Sequence, residues 1–250
     1  MRPPDFWQQD GLVPRLLQPA ALLYDGIGRM RRRLTRPRSA GVPVICIGNL
    51  TAGGSGKTPA ALAVIAMLQN RGAAVHALTR GYGGRIRGPV QVDPGRHGAA
   101  DVGDEALLLA ERTPTWVSAD RPAGAAAAVA AGARLIVMDD GFQNPTLHQD
   151  LSLLVIDGGA GLGNGRVHPA GPLREEPGRA WRRAHGVILT EPISPAVARI
   201  PPPELPRVAA RMLPDPQAQD LRDRAVVAFA GIGRPERFFD TLRDLSLIHI

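Results

Sequence analysis

The chain almost lacks lysine. Of its 30 basic residues 29 are arginine, and Lys57 is the one lysine. A guanine-reading Asn/Thr-Lys-x-Asp sequence needs a lysine beyond the phosphate loop, so a GTPase switch is excluded. Cysteine is equally scarce: Cys46 stands alone inside an apolar run, which rules out a disulfide framework and fits a reducing compartment. It reads as a small core residue, not a nucleophile. The six histidines (His76, His97, His148, His168, His185 and His249) show no i,i+4 pair, so no zinc site is indicated. Aromatic residues are only 4%, too few for base-stacking platforms, and no nucleic-acid module is recognisable. Long hydrophobic runs are missing as well. Ala123–Met138 is broken by Gly132 and Arg134 and reads as helix, turn and strand, not as a membrane span. Prolines and charges occupy the N-terminus where the apolar core of a cleavable signal would lie.

What is present describes a globular protein. The 250 residues, 44% apolar and 21% charged, can bury a core as one large domain or two small ones. The 29 glycines and 24 prolines imply many turns. A net charge of +7 and a pI near 10.9 favour acidic partners, whether nucleic acid, anionic lipid or a phosphorylated substrate.

The most informative stretch is Val44–Thr58. An apolar strand, Val44–Ile47, runs through Gly48-Asn49-Leu50-Thr51-Ala52 into Gly53-Gly54-Ser55-Gly56-Lys57-Thr58, which opens a helix. Small residues let backbone N–H groups approach a nucleotide's phosphates, and the helix start adds partial positive charge. Lys57 would reach the β/γ-phosphates and the Thr58 hydroxyl would hold Mg²⁺. An arginine-rich chain keeps a lysine where a slim point charge suits a phosphate. The strict pattern has glycine where this chain has Thr51. Asn49-Leu50-Thr51 also fits a glycosylation sequon, set aside because it lies inside the phosphate loop.

Before this stretch, Leu12, Leu16, Ala20, Leu23, Ile27, Met30 and Leu34 recur at steps of three and four, and an arginine-dense end follows (Arg29, Arg31, Arg32, Arg33, Arg36 and Arg38). Pro14 and Pro19 predict a split in that helix. Periodicity alone leaves two readings open: an interfacial helix on an anionic membrane, or a helix packed on the domain with a solvated basic end.

After it, strands and helices alternate. A helix is predicted from Lys57 to about Asn70 and a strand near Ala74–Leu78. A long loop, Arg80 to Asp101, precedes a helix near Asp104–Glu111 and a strand at Thr115–Ser118. A helix from about Pro122 to Ala131 leads into a buried strand, Leu135–Met138. That alternation means a parallel sheet covered by helices on both faces. Further strands are predicted at Leu151–Ile156, Val187–Thr190 and Val226–Ala230, with residues 157–178 irregular and the prolines at 201–206 marking a boundary. Gly231-Ile232-Gly233 then opens an amphipathic helix carrying Phe238, Phe239 and Leu242. The strand Leu135–Met138 delivers Asp139-Asp140-Gly141 to the carboxyl edge, where Mg²⁺ carboxylates are expected. Asp104 is the candidate base for an acceptor hydroxyl, although a helix N-cap is the commoner job for such an Asp. From these residues alone a kinase, a nucleic-acid-associated ATPase and a nucleotide-binding adaptor all stay open.

Several motifs in order narrow the choice: PVICIGNLTAGGSGKTP (43–59), RGYGG (80–84), GDEALLLA (103–110), Asp120-Arg121, DDGFQ (139–143), GNGR (163–166), PAGPLRE (169–175) and GIGRPERFF (231–239). Together they resemble the lipid A 4′-kinases, or tetraacyldisaccharide 4′-kinases, of Gram-negative bacteria, from about residue 5 to 245. The resemblance implies an α/β fold, a P-loop NTPase-like parallel sheet flanked by helices. It divides the chain into an amphipathic membrane-facing helix (1–40), a kinase core (41–205) and the start of a second α/β lobe (206–250).

The implied reaction moves the ATP γ-phosphate to the 4′-hydroxyl of tetraacyldisaccharide 1-phosphate, giving lipid IVA. The implied setting is peripheral, at the cytoplasmic face of the inner membrane, as a monomer with no nucleic-acid partner. Asp104 becomes the catalytic base, with Glu105, Lys57, Arg121, Arg174 and Glu175 as active-site residues. Gly53, Gly54, Ser55, Gly56, Lys57, Thr58, Tyr82 and Gln143 line the nucleotide cleft, and Thr58, Asp139 and Asp140 hold Mg²⁺. Two departures stand out. Asn144 occupies a position where the family often has His, and the second-lobe histidine that pairs with the catalytic Asp has no counterpart, since His249 lacks its surroundings. The second lobe is accordingly expected to be truncated, with reduced activity or nucleotide binding alone as possible consequences.

Overall fold

A computed structural model describes residues 4–214, 218, 227–229 and 235–244. A 3-10 turn at Asp5–Trp7 precedes α1, Leu12–Leu34. The predicted split in α1 does not occur. Pro14 lies in the first turn, where no intrahelical N–H bond is due, and Pro19 forfeits a single bond without ending the helix. Apart from Pro14 and Ala21, little of α1 is buried. Its apolar stripe faces outward, with Leu12 73%, Leu16 70%, Leu23 67% and Leu34 77% exposed.

The core is one sheet. Its strands are β1 (Val44–Gly48), β2 (Val75–Thr79), β3 (Val90–Gln91), β4 (Thr115–Val117), β5 (Leu135–Asp139), β6 (Leu151–Asp157), β7 (Gly186–Thr190) and β8 (Arg207–Ala210). Their spatial order is β3-β4-β2-β5-β1-β6-β7-β8, with every neighbouring pair parallel except β3 and β4. The helices are α2 (Lys57–Gln69), α3 (Ala99–Val102), α4 (Asp104–Ala110), α5 (Arg121–Ala130), α6 (Pro177–Trp181), α7 (Pro195–Ala198) and α8 (Pro235–Asp244).

Side chains alternate between the two faces of the sheet. Ile47, Val75, Ala77, Val137 and Val155 pack with Ala61 and Ile65 of α2 and Leu109 of α4. On the other face Cys46, Leu78, Ile136, Met138 and Leu154 meet Ala125 and Ala128 of α5, Phe142, Leu173 and Ala180 of α6. The expected two-sided cover is therefore observed, and Cys46 is a buried core residue.

Three expectations differ from the structure. The segment between Arg80 and Asp101 is not wholly loop, because β3 and α3 lie in it. The irregular stretch 157–178 ends in α6, whose N-cap Glu176 accepts from the N–H groups of Gly178 and Arg179. The proline segment 201–206 connects neighbouring strands: β8 pairs in parallel with β7, Val187 opposite Arg207, so the sheet continues past residue 205. The expected strand Val226–Ala230 and the Gly231-Ile232-Gly233 turn lie largely outside the described residues, as does the 245–250 tail.

Candidate active site

The site is assembled at the carboxyl edge of β1 and β5, the two central strands. Their register sets Ile47 opposite Asp139, and the Asp140 N–H donates to the Ile47 carbonyl at 2.9 Å. The glycine loop leaves β1 on one side and the acidic pair leaves β5 on the other. Gly56, at φ +84, turns the loop into α2. That left-handed backbone suits a residue without Cβ, which would here also meet the Thr190 methyl at 3.3 Å. Lys57 and Thr58 then start the helix, both buried.

A third strand-like segment closes the site. Thr51 bridges Leu173 in antiparallel sense; the Ala52 N–H donates to Pro172 and the Arg174 N–H to Leu50, both at 2.7 Å. These bonds lay the PLRE segment across the phosphate loop. Arg174 forks onto Asp140, 2.6 Å to Oδ1 and 3.2 Å to Oδ2, and Lys57 Nζ stands 3.9 Å from the same Oδ1. The Thr58 hydroxyl donates to Asp139 Oδ2 at 2.8 Å. Gln143 donates to the Asn49 carbonyl at 2.9 Å and to Glu175 at 3.2 Å, while its own carbonyl accepts from Arg174 at 3.4 Å.

Environment sets the charge states. Burial pushes the Asp139 carboxyl up to about 7, against the opposing pull of the Thr58 hydroxyl. For Asp140 burial acts in the same direction, but Lys57 and Arg174 outweigh it and hold the group below the usual carboxylate range. Burial raises Glu105, opposed by Lys57 and reinforced by the charges of Asp140 and Asp104. Burial also brings the Arg121 guanidinium down to about 10, and Arg80 adds to that.

The structure thus gathers Lys57, Thr58, Asp139, Asp140, Gln143, Arg174 and Glu175 by direct contacts, with Glu105 and Arg121 in their electrostatic reach. Ser55 is buried and accepts from Asn49 Nδ2 at 2.8 Å. Asp104 is exposed at the start of α4; it is not the N-cap, which is Gly103, and its carboxylate accepts the Glu105 N–H at 2.9 Å. Gly103 adopts φ +87, and a Cβ added there would collide with the Tyr82 carbonyl, so the RGYGG loop packs directly on that helix start. The Tyr82 ring itself is 79% exposed.

Three contributors were not picked out from sequence. Asn49 is fully buried and ties the loop together, donating to the Thr51 carbonyl at 2.7 Å as well as to Ser55. A polar residue closing an apolar strand was its signal, since a buried amide needs partners. Arg32 and Arg183 both hold Glu175, and an arginine-rich sequence gives no local sign of which guanidinium turns inward.

Mg²⁺ is tested by what these groups offer. Hard oxygen donors suit that ion, and the Thr58 hydroxyl and Asp139 are already in contact. Asp139 Oδ1, fully buried, has no hydrogen-bond partner among the described residues. An orphaned buried carboxylate oxygen beside Thr58 fits a cation.

A strand, a glycine loop closing on Lys57-Thr58, and an acidic pair on the adjacent strand define a P-loop nucleotide-binding enzyme. Relatives are specific. The chain belongs to the tetraacyldisaccharide-1-P 4′-kinase (LpxK) family, whose profile matches residues 13–250. It is 54% identical over 252 residues to the tetraacyldisaccharide 4′-kinase of Rhodospirillum rubrum, covering 98% of this chain and 76% of that protein. To the same enzyme of Gluconacetobacter diazotrophicus it is 57% identical over 245 residues, covering 97% and 75%. A crystal structure of Aquifex aeolicus LpxK in complex with ATP superposes with a TM-score of 0.76 at 28% identity, covering 94% of this chain and 79% of that one.

Proposed function

We propose that this chain transfers the γ-phosphate of ATP to the 4′-hydroxyl of tetraacyldisaccharide 1-phosphate. Family membership carries the choice of acceptor, and the Thr58–Asp139 contact with its orphaned carboxylate oxygen, set beside Lys57, carries the nucleotide half of the reading. Backbone N–H groups of the glycine loop would cradle the phosphates, and Lys57 would follow the charge that develops on the β- and γ-oxygens. Thr58 and Asp139, with Asp140 adjacent, would hold Mg²⁺. When bound, that ion neutralises charge on the transferring group.

Asp104 serves as the base. It takes the proton of the 4′-hydroxyl as the oxygen bonds to the γ-phosphorus and the bond to the β-bridging oxygen breaks, releasing ADP. Its exposed position at the head of α4 leaves room for an acceptor. Glu105 and Arg121 act on the same charge field. Tyr82, exposed on a loop packed against Gly103, stands at the rim.

A cavity of about 540 Å³ opens from this site toward α1 and suits the acceptor's headgroup. Its walls include Gln143, Arg174 and Glu175 together with Tyr24, Ile27 and Arg182. Guanidinium groups favour a phosphorylated sugar. Among the described residues no helix is long and apolar enough to cross a membrane. The outward apolar stripe of α1 and its basic end support peripheral seating on an anionic leaflet, the cytoplasmic face of the inner membrane. The chain works as a monomer and takes no nucleic acid.

The test is direct. Incubation with γ-labelled ATP and tetraacyldisaccharide 1-phosphate should label the lipid. ATP hydrolysis stimulated by DNA, with the lipid unlabelled, would overturn the assignment in favour of a nucleic-acid ATPase.

A further inference from the structure

Most of the arginine-dense end of α1 faces water: Arg29, Arg31 and Arg33 are exposed. Arg32 turns inward. Its guanidinium donates to Glu175 Oε2 at 3.2 Å, and the Glu175 side chain is only 7% exposed. The other Glu175 oxygen accepts from Arg183 at 3.0 Å and from Gln143 at 3.2 Å. Arg183 is itself fixed, its guanidinium lying 4.5 Å from the centroid of the Phe142 ring.

From Glu175 a row of contacts runs to the phosphate loop: Gln143 to Arg174, Arg174 to Asp140, and Asp140 to Lys57. A second contact seats the same helix: Arg179 Nη2 donates to both carboxylate oxygens of Asp25. Thus α1 is tied to the site by charged groups, while Ile27 of its apolar stripe lines the adjoining cavity.

We propose that Arg32 is a positioning residue for phosphoryl transfer, acting from the membrane-facing helix through Glu175 on the Gln143–Arg174–Asp140 row. A buried carboxylate is stable only while its oxygens are paired. Without Arg32, Oε2 loses its donor, and Glu175 shifts toward its remaining cation, Arg183. That movement releases Gln143, whose carbonyl steadies Arg174. The geometry around Asp140 and Lys57 then loosens although no residue of the glycine loop or of the acidic pair has been replaced. This inference rests on the functional reading above.

A double-mutant cycle tests it. Arg32→Gln should lower kcat about tenfold, the scale on which small misplacements act, with KM for ATP and for the lipid within about twofold. Arg32→Lys should recover part of the loss, because an ammonium still reaches Oε2. Added to Glu175→Gln, the Arg32→Gln change should cost nothing further, since its route is already cut. Losses that multiply in the double variant, or a raised lipid KM at unchanged kcat, would make Arg32 an independent acceptor contact and overturn the proposal. A wild-type chain that leaves the lipid unlabelled would sink the functional reading, and this inference with it.

Discussion

The Thr58 hydroxyl donates to Asp139 Oδ2 across 2.8 Å, joining the first turn of α2 to the last residue of β5. The two residues are 81 positions apart in sequence, yet the parallel register of β1 and β5 makes their meeting unavoidable. Replacing Thr58 by Val should keep the volume and remove the donor. Both carboxylate oxygens of Asp139 then lie buried without a partner, at a cost of about 1–3 kcal/mol in stability. Chemical unfolding measures that loss, and transfer should fall at saturating ATP. Thr58→Ser restores the hydroxyl and should recover both stability and transfer. A Val variant as stable and active as wild type, with the Ser variant impaired, would place the role of Thr58 in its methyl group.

Asp104 offers a cleaner separation of binding from chemistry. It sits outside the buried row, exposed at the head of α4. Asp104→Asn keeps an acceptor for the Glu105 N–H and removes the base. Transfer should drop by about 10²–10⁴-fold, the usual reach of a general base, while ATP affinity measured by calorimetry stays close to wild type. Weakened ATP binding with turnover preserved would refute the base assignment.

Much of this was legible because it is local. The glycine loop, Lys57 and Thr58 are consecutive, and the run Leu135–Met138 announces both a buried strand and the acidic pair after it. Strand register then does the rest. What sequence did not disclose was set by long-range contact or by weak pattern. β8 is exposed along most of its length, so no apolar alternation marks it, and β3 is only two residues long. Pro19 reads as a break, but a single lost backbone bond does not end a 23-residue helix. Nor could spacing show that Arg32 would meet Glu175, 143 residues away. The choice of acceptor came from the combination of motifs and from relatives; a phosphate loop by itself does not specify a sugar hydroxyl.

The outward face of α1 makes a second kind of prediction. Leu16 and Leu23 are 70% and 67% exposed on the same stripe. If a bilayer covers them, each contributes about 1.5 kcal/mol or more. Leu16→Glu together with Leu23→Glu should then weaken partition onto phosphatidylglycerol-containing vesicles roughly a hundredfold, before counting repulsion from the anionic surface. Sedimentation with vesicles reads this directly. Partition equal to wild type would mean that the stripe meets something other than lipid.

Far from the site, His76 of β2 carries a pH-dependent share of stability. It is buried, and its Nδ1 accepts from Trp116 Nε1 at 3.3 Å, a bond that needs the neutral ring. Burial lowers its pKa below the ordinary 6.5. Between the lowered value and 6.5 the unfolded chain binds the proton that the folded chain refuses, so stability rises with pH through that window. The contribution is complete above 6.5 and is lost as pH falls through the folded value, with a slope of at most about 1.4 kcal/mol per pH unit. His76→Gln keeps an acceptor for Trp116 and removes the titration. Urea unfolding of both proteins from pH 7.5 down to pH 5 should show wild type losing stability faster than the variant. Parallel losses would mean that the His76 ring protonates as readily folded as unfolded, and that the Trp116 contact does not select its neutral form.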